Sequence, residues 1–172
     1  MVDYVCFGMW FDEQSECGRK YDNFGGTSMQ ERLIIRDMVP DDYKALKPLI
    51  DELGYPSTED EIKERLQNII IDKNFKTLLA ELNGKIVAFI GLLKSYGYEI
   101  NGPYIRIMAL VVAEEYRNQG IGTQLIKVAE EWAQQNGATI ITLNSGLKRL
   151  DAHRFYEHMG FRIKGYSFIK EL

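Results

Sequence analysis

Apolar and polar positions recur with two different periods along the chain, and the changes of period mark out its elements. Leu33 to Arg36 is a short β-branched run suited to a first strand. Pro40 then leads a helical pattern through Leu46, Leu49, Ile50 and Leu53, closed by Gly54 and Pro56, and Pro48 inside it is expected to kink or split that helix. In a second helix Ser57 or Thr58 can cap the start and Glu59, Asp60 and Glu61 suit the positive end of the dipole. Its apolar stripe is Ile62, Leu66, Ile69 and Ile70. Residues 75–82 and 85–93 flank Asn83-Gly84, a strong hairpin signal that predicts an antiparallel pair.

Gly97 and Asn101-Gly102-Pro103 turn the chain into residues 104–112, almost wholly apolar with Arg106 as the one charge, the composition of a strand covered on both faces. From Ile121 a helical stripe runs through Leu125, Ile126, Val128, Ala129, Trp132 and Ala133 and ends at Asn136-Gly137. Residues 138–144 read as another buried strand. Asp151 is expected to cap a short helix that stops at Gly160, and residues 161–170 to hold two short strands around Lys164-Gly165. Residues 1–28 have no period and read as a loosely ordered N-terminal extension, with a single domain from Met29 to the end, residues 29–172. The order predicts an α+β fold with a mixed, mostly antiparallel sheet and four helices, parallel only across the long crossover helix.

Composition narrows the class. With 172 residues, 45% hydrophobic and 27% charged, the chain is an ordinary globular domain. The net charge of −4 argues against nucleic-acid binding. No apolar run is long enough for a membrane span and no signal-like N-terminus is present, so no membrane partner and a cytoplasmic location are expected. Cys6 and Cys17 have neither Cys-x-x-Cys spacing nor nearby histidines, and His153 and His158 lie off a common helical face, so no metal is expected.

Chemistry enters between the central strand and its helix. In Arg117-Asn118-Gln119-Gly120-Ile121-Gly122-Thr123, two glycines remove side chains beside the first-turn N–H groups of a helix, where the dipole favours an anion, and Arg117 adds a forked cation. This is a candidate pyrophosphate cradle. It lacks the Gly-Lys-Ser/Thr of a P-loop and the third glycine of a dinucleotide fingerprint. The string Arg-x-x-Gly-Ile-Gly after a strand ending Leu-x-Val resembles the acetyl-CoA loop of the GNAT superfamily of N-acetyltransferases. The segment Phe155-Tyr156-Glu157-His158-Met159-Gly160-Phe161 is similar to the Phe-Tyr-x-x-x-Gly-Phe signature near the end of that family, and the element order from about residue 32 onward is also the family's.

The resemblance implies specific roles. Backbone groups of Leu110, Val111 and Val112 would hold the pantetheine arm and the thioester carbonyl, and Arg117 to Thr123 the pyrophosphate. Tyr156 would be the general acid that protonates the departing thiolate. Where many members place an asparagine seven residues before this tyrosine, the chain has Arg149, and Asn144 closes the preceding strand; either would hold the cofactor arm. Glu81 and Glu99 are candidate bases, each also readable as a surface charge.

The expected activity is direct transfer of an acetyl group from acetyl-CoA, the cosubstrate, to the primary amine of a small-molecule acceptor. The acids of residues 41–73 outnumber the bases and tilt the acceptor toward a cationic amine such as a polyamine or aminoglycoside. A peptide N-terminus or lysine is the alternative acceptor, a non-catalytic CoA-binding module the alternative class, and a homodimer is compatible with either.

Overall fold

The computed structural model describes residues 32–172, so the expected N-terminal extension lies outside the described residues. The elements run β1 (Leu33–Asp37), a 3-10 turn (Pro40–Asp42), α1 (Tyr43–Glu52), α2 (Glu59–Ile71), β2 (Phe75–Leu82), β3 (Lys85–Tyr96) and β4 (Pro103–Val112). A second 3-10 turn (Glu114–Tyr116), α3 (Ile121–Gln135), β5 (Ile141–Leu143) and α4 (Leu150–His158) complete them. The sheet has the order β1-β2-β3-β4-β5, antiparallel except for the last pair. The fold is the mixed, mostly antiparallel sheet with four helices that the pattern predicts.

Local chemistry accounts for the punctuation. Asn83 and Gly84 both take positive φ, the geometry a two-residue hairpin needs for its turn to match the strand twist. Thr58 and Glu61 close a capping box at the start of α2, each satisfying a backbone N–H of the other. Arg36 on β1 grips both oxygens of Asp42 at 2.8 Å and Glu81 on β2 through Nε at 3.0 Å, which ties two strands to the entry of α1. The Arg36 fork holds the buried Asp42 carboxyl below the usual carboxylate range, against an opposing desolvation.

Two apolar clusters sandwich the sheet. On one face α3 buries Ile121, Leu125, Ile126 and Ala129 against Ile90, Leu92, Ile105 and Ile107; on the other, Leu46, Leu49, Ile62 and Leu66 of α1 and α2 cover Leu79, Phe89 and Val111. The faces fix where each β4 side chain points. Ile105 and Ile107 lie under α3, then Leu110 and Val112 do, so the alternation slips by one residue between them. The register locates the slip: Gly91 pairs with Ala109 but Leu92 with Ile107, which leaves Met108 as an extra, bulged residue, 51% exposed.

Four expectations are corrected. Pro48 does not split its helix: α1 runs unbroken from Tyr43 to Glu52, because one missing hydrogen bond is offset by Leu46 and Leu49 buried on either side of the proline. The strand expected over 138–144 shrinks to Ile141–Leu143, since Ala138 is still bonded to Ala133 of α3 and buried beneath it. Arg149, not Asp151, stands at the N-cap of α4, and Asp151 faces Arg154 from the first turn. Residues 161–170 form no strand. Ile163, Tyr166, Phe168 and Ile169 are all more than 80% exposed, because a strand needs a ladder to join and β5 has only three residues.

Candidate functional site

The site begins where β4 and β5 part. Ile105 N–H donates to the Ile140 carbonyl at 3.0 Å, and the last rung of the parallel pair is Ile107 with Leu143. Beyond it β4 continues for five residues, the bulged Met108 and then four paired on the β3 side alone. Ala113 N–H donates to Val87 O at 2.9 Å on that side, so strand alternation turns the backbone groups of Val112 and Leu110 the other way, into the gap. The Met108 bulge makes this possible. Without the extra residue, the parity that aims Ile105 and Ile107 at β5 would aim Leu110 and Val112 back at β3. The Val111 amide therefore points to β3, and its side chain is buried under α1.

At the open end of the fork lies the loop 117–120, which the structure leaves exposed. Gly120 is the N-cap of α3 with φ +80, a conformation L side chains rarely adopt, and a Cβ there would meet no protein atom within 4 Å. Asn118 also takes positive φ, at 62°. The first bond within α3 runs from Gln124 N–H to Gly120 O at 3.1 Å, so the amides of Ile121, Gly122 and Thr123 have no partner in their own helix. Together with the dipole of a fifteen-residue helix, they form a concave donor set suited to an anion.

Two loop residues differ from the sequence-based expectation. A Cβ on Gly122 would stand 3.3 Å from Phe155 Cζ and 3.7 Å from Val112 Cγ2, so this glycine is needed for close packing of α4 on the helix start rather than for anion access. Arg117 is engaged: Nε donates to Val112 O at 3.0 Å, and the guanidinium pairs with Glu52 Oε2 of α1 at 2.9 Å. Gln119 is turned back to the Glu115 carbonyl at 3.2 Å.

Phe155 also orients its neighbour. Its ring meets that of Tyr156 edge-on at 5.4 Å, and Phe161 meets Tyr156 from another side at 5.7 Å, so Tyr156 is held one ring away from the junction of β4 and α3. Burial pushes the Tyr156 phenol above its usual range, with the charge of Arg149 acting weakly in the other direction. The hydroxyl is therefore protonated at neutral pH. Arg149 is exposed, with its side chain against Gly146, and His153 Nε2 lies 3.0 Å from the Gly146 carbonyl, steadying the loop that leads into α4.

Residues 39–161 match the sequence profile of the acetyltransferase (GNAT) family. An aminoalkylphosphonate N-acetyltransferase of Salmonella typhimurium is 36% identical over 124 residues, 72% of this chain and 78% of the relative. The chain belongs to the GNAT family of acetyltransferases. An aminoglycoside N(6')-acetyltransferase type 1 of Serratia marcescens is 27% identical over 126 residues, covering 70% of this chain and 84% of that one. Among solved structures, a GNAT family acetyltransferase of Staphylococcus aureus superposes with a TM-score of 0.71 and 32% identity over 81% of this chain and 98% of its own.

Within this GNAT fold, the candidate bases stand away from the fork. Glu81 is on β2, held by Arg36, and Glu99 lies in the β3–β4 turn beside Gly97, beyond the closed end of β4. Asn144 is drawn into a different task. In the amide orientation that satisfies both its ends, Oδ1 accepts from Arg106 Nη2 at 2.8 Å and from Ser167 Oγ at 2.9 Å, and Nδ2 donates to Leu143 O at 3.1 Å. Sequence reasoning missed Met108, Glu52 and this use of Arg106. The only available signal was Arg106 itself, a charge in an apolar strand. Among the described residues no group of histidines, cysteines or acids has the geometry of a metal site, and no helix is long and apolar enough to cross a membrane.

Proposed function

We propose that this GNAT protein is an acetyl-CoA-dependent N-acetyltransferase that moves the acetyl group directly to the primary amine of a small molecule. The observation that carries this reading is the fork, whose unspent amides on β4 face a gap with the N-terminus of α3 at its mouth. The donor set fits a cofactor with a diphosphate at one end and a carbonyl at the other. Acetyl-CoA supplies the acetyl group activated as a thioester. The amides of Ile121, Gly122 and Thr123 would hold its diphosphate, with Gly120 keeping the approach clear.

The amides of Leu110 and Val112 would donate to the thioester oxygen and stabilise the negative charge that builds there as the amine attacks. The Tyr156 hydroxyl would give its proton to the leaving sulfur, and the burial that raises its pKa keeps that proton in place until it is needed. The amine is read as reacting in its neutral form, drawn from the small fraction present near neutral pH, because Glu81 and Glu99 stand elsewhere.

A small acceptor is supported by two relatives whose names state small amines, an aminoalkylphosphonate and an aminoglycoside. Four of the nine acids behind the acidic tilt of residues 41–73 are already engaged within the protein, which reduces the weight the tilt gives to a cationic acceptor. Asp42, Asp51 and Glu52 are spent on Arg36, Lys47 and Arg117, and Glu61 on the cap of α2. The test is release of free thiol when the pure protein meets acetyl-CoA and a panel of small amines. Amine-dependent release, with N-acetylated product by mass spectrometry, is the expected result. Tight CoA binding with no release on any amine would leave a CoA-binding module instead.

A further inference from the structure

Arg106 is the one charge in β4, and its setting differs from that of the other strand arginine. Ile105 and Ile107 on either side of it are buried beneath α3, so Arg106 projects from the opposite face. On that face it stands in a cross-strand row with Phe75, Leu93 and Thr142. The helices α1 and α2 cover that face further along, at Leu79, Phe89 and Val111. Arg106 lies one residue before the last rung of the β4–β5 pair, at the floor of the fork.

Its electrostatics are unusual for a half-buried cation. Arg36 and Arg117 each face a carboxylate, whereas among the described residues Arg106 faces none. Its partner is the neutral Asn144 Oδ1 at 2.8 Å, which positions the guanidinium without cancelling its charge and leaves most of its donors unspent. Beside it on the same face, Thr142 Oγ1 is a buried hydroxyl with no hydrogen-bond partner, and Ser145 Oγ, three residues on, is another. A half-solvated cation held by a neutral amide, next to unpartnered hydroxyls, is an arrangement completed by an anion.

We infer that Arg106 selects the acceptor by binding an acidic group on it, so that the substrate is a small amine carrying a carboxylate or phosphonate a few bonds from its nitrogen. The inference rests on the transferase reading above and names its acceptor class. The fork of the guanidinium matches either oxyanion with two parallel hydrogen bonds, and the Thr142 hydroxyl can supply another donor. Anchoring the acid at the floor of the fork leaves the amine end free to reach toward the unpaired half of β4. A polyamine or other cationic acceptor would meet repulsion from Arg106 at the same point.

Thiol release from acetyl-CoA separates the cases. The anion-bearing arms are 2-aminoethylphosphonate and β-alanine; propylamine and ethanolamine are the uncharged-tail controls, and putrescine the cationic one. In the parent, at least one anion-bearing amine should exceed propylamine in kcat/KM by about 100-fold, the scale set by charge-assisted hydrogen bonds to a charged group. The faster of the two shows whether phosphonate or carboxylate is the preferred acid. Arg106→Gln should erase that preference through KM while leaving propylamine within about threefold, and Arg106→Lys should restore part of it.

Calorimetric CoA binding by each variant reports on folding. A parent that favours putrescine or propylamine overturns the inference and leaves the transferase reading intact. So does an Arg106→Gln variant that binds CoA but slows every amine alike. Should Arg106→Gln fail to fold, the parent's own ranking of the acceptors decides. Absence of release with all five amines overturns this inference, and absence with an added aminoglycoside arm as well overturns the transferase reading.

Discussion

The two halves of β4 share one strand and one type of side chain, yet they do different things. From Ile105 to Ile107 the strand is paired on both sides, with β3 and with β5, and the buried Ile105 and Ile107 lock it under α3. After the bulged Met108, Ala109 to Val112 are paired on the β3 side alone, and the amides of Leu110 and Val112 face the gap. The first half spends its hydrogen bonds on the sheet; the second leaves two amides without a strand partner. One bulged residue separates them. An unpaired inner edge is costly where it is buried from water, and here it persists because the other half of the same strand, together with β3, holds it in place.

The largest expected effect tests whether the open half is chemical. Tyr156→Phe removes the hydroxyl proposed to act on the thioester while keeping the ring's packing on Phe155 and Phe161. The turnover number should fall by about two to four powers of ten, the usual range for one general acid, with CoA affinity unchanged. The loss should shrink with thioesters of more acidic thiols, which leave without help. Single-turnover measurement at the parent rate would return Tyr156 to a packing role.

A smaller effect tests whether the paired half is structural. Ile107→Ala opens a cavity beneath α3 and should cost about 2–4 kcal/mol in urea unfolding, while the folded fraction binds CoA as before. A turnover loss comparable to that of Tyr156→Phe would erase the distinction between the halves.

The smallest concerns the tip of the open half, where Arg117 is divided between the Val112 carbonyl and Glu52. Glu52→Gln removes the competing charge, so CoA should bind about two- to fivefold tighter by calorimetry, with little change in melting temperature. Unchanged or weaker affinity would mean that the Glu52 pair holds Arg117 in its working position.

Much of this was legible in the order of residues, because it depends on neighbours in the chain. Asn83-Gly84 specifies a two-residue turn through positive φ, Gly120 marks a left-handed N-cap, and the stripe from Ile121 to Ala133 specifies a buried helix face. These local rules brought out the glycine loop at the start of α3 and the crossover helix itself, whereas Tyr156 was singled out by the resemblance of residues 155–161 to the family's signature. What they could not reach depends on residues far apart in sequence. The Met108 bulge exists only in the register of β4 against β3, and Gly122 owes its packing role to Phe155, thirty-three positions away.

Arg117 owes its partner to α1, and Arg106 its neutral one to the strand beyond the crossover. The final segment is the counterexample that gives the reason. Residues 161–170 have the composition of strands, but a strand is a relation between two segments, and β5 is too short to offer the second. Periodicity and turn chemistry determine which elements form; pairing in three dimensions decides which of their hydrogen bonds remain free to meet a substrate.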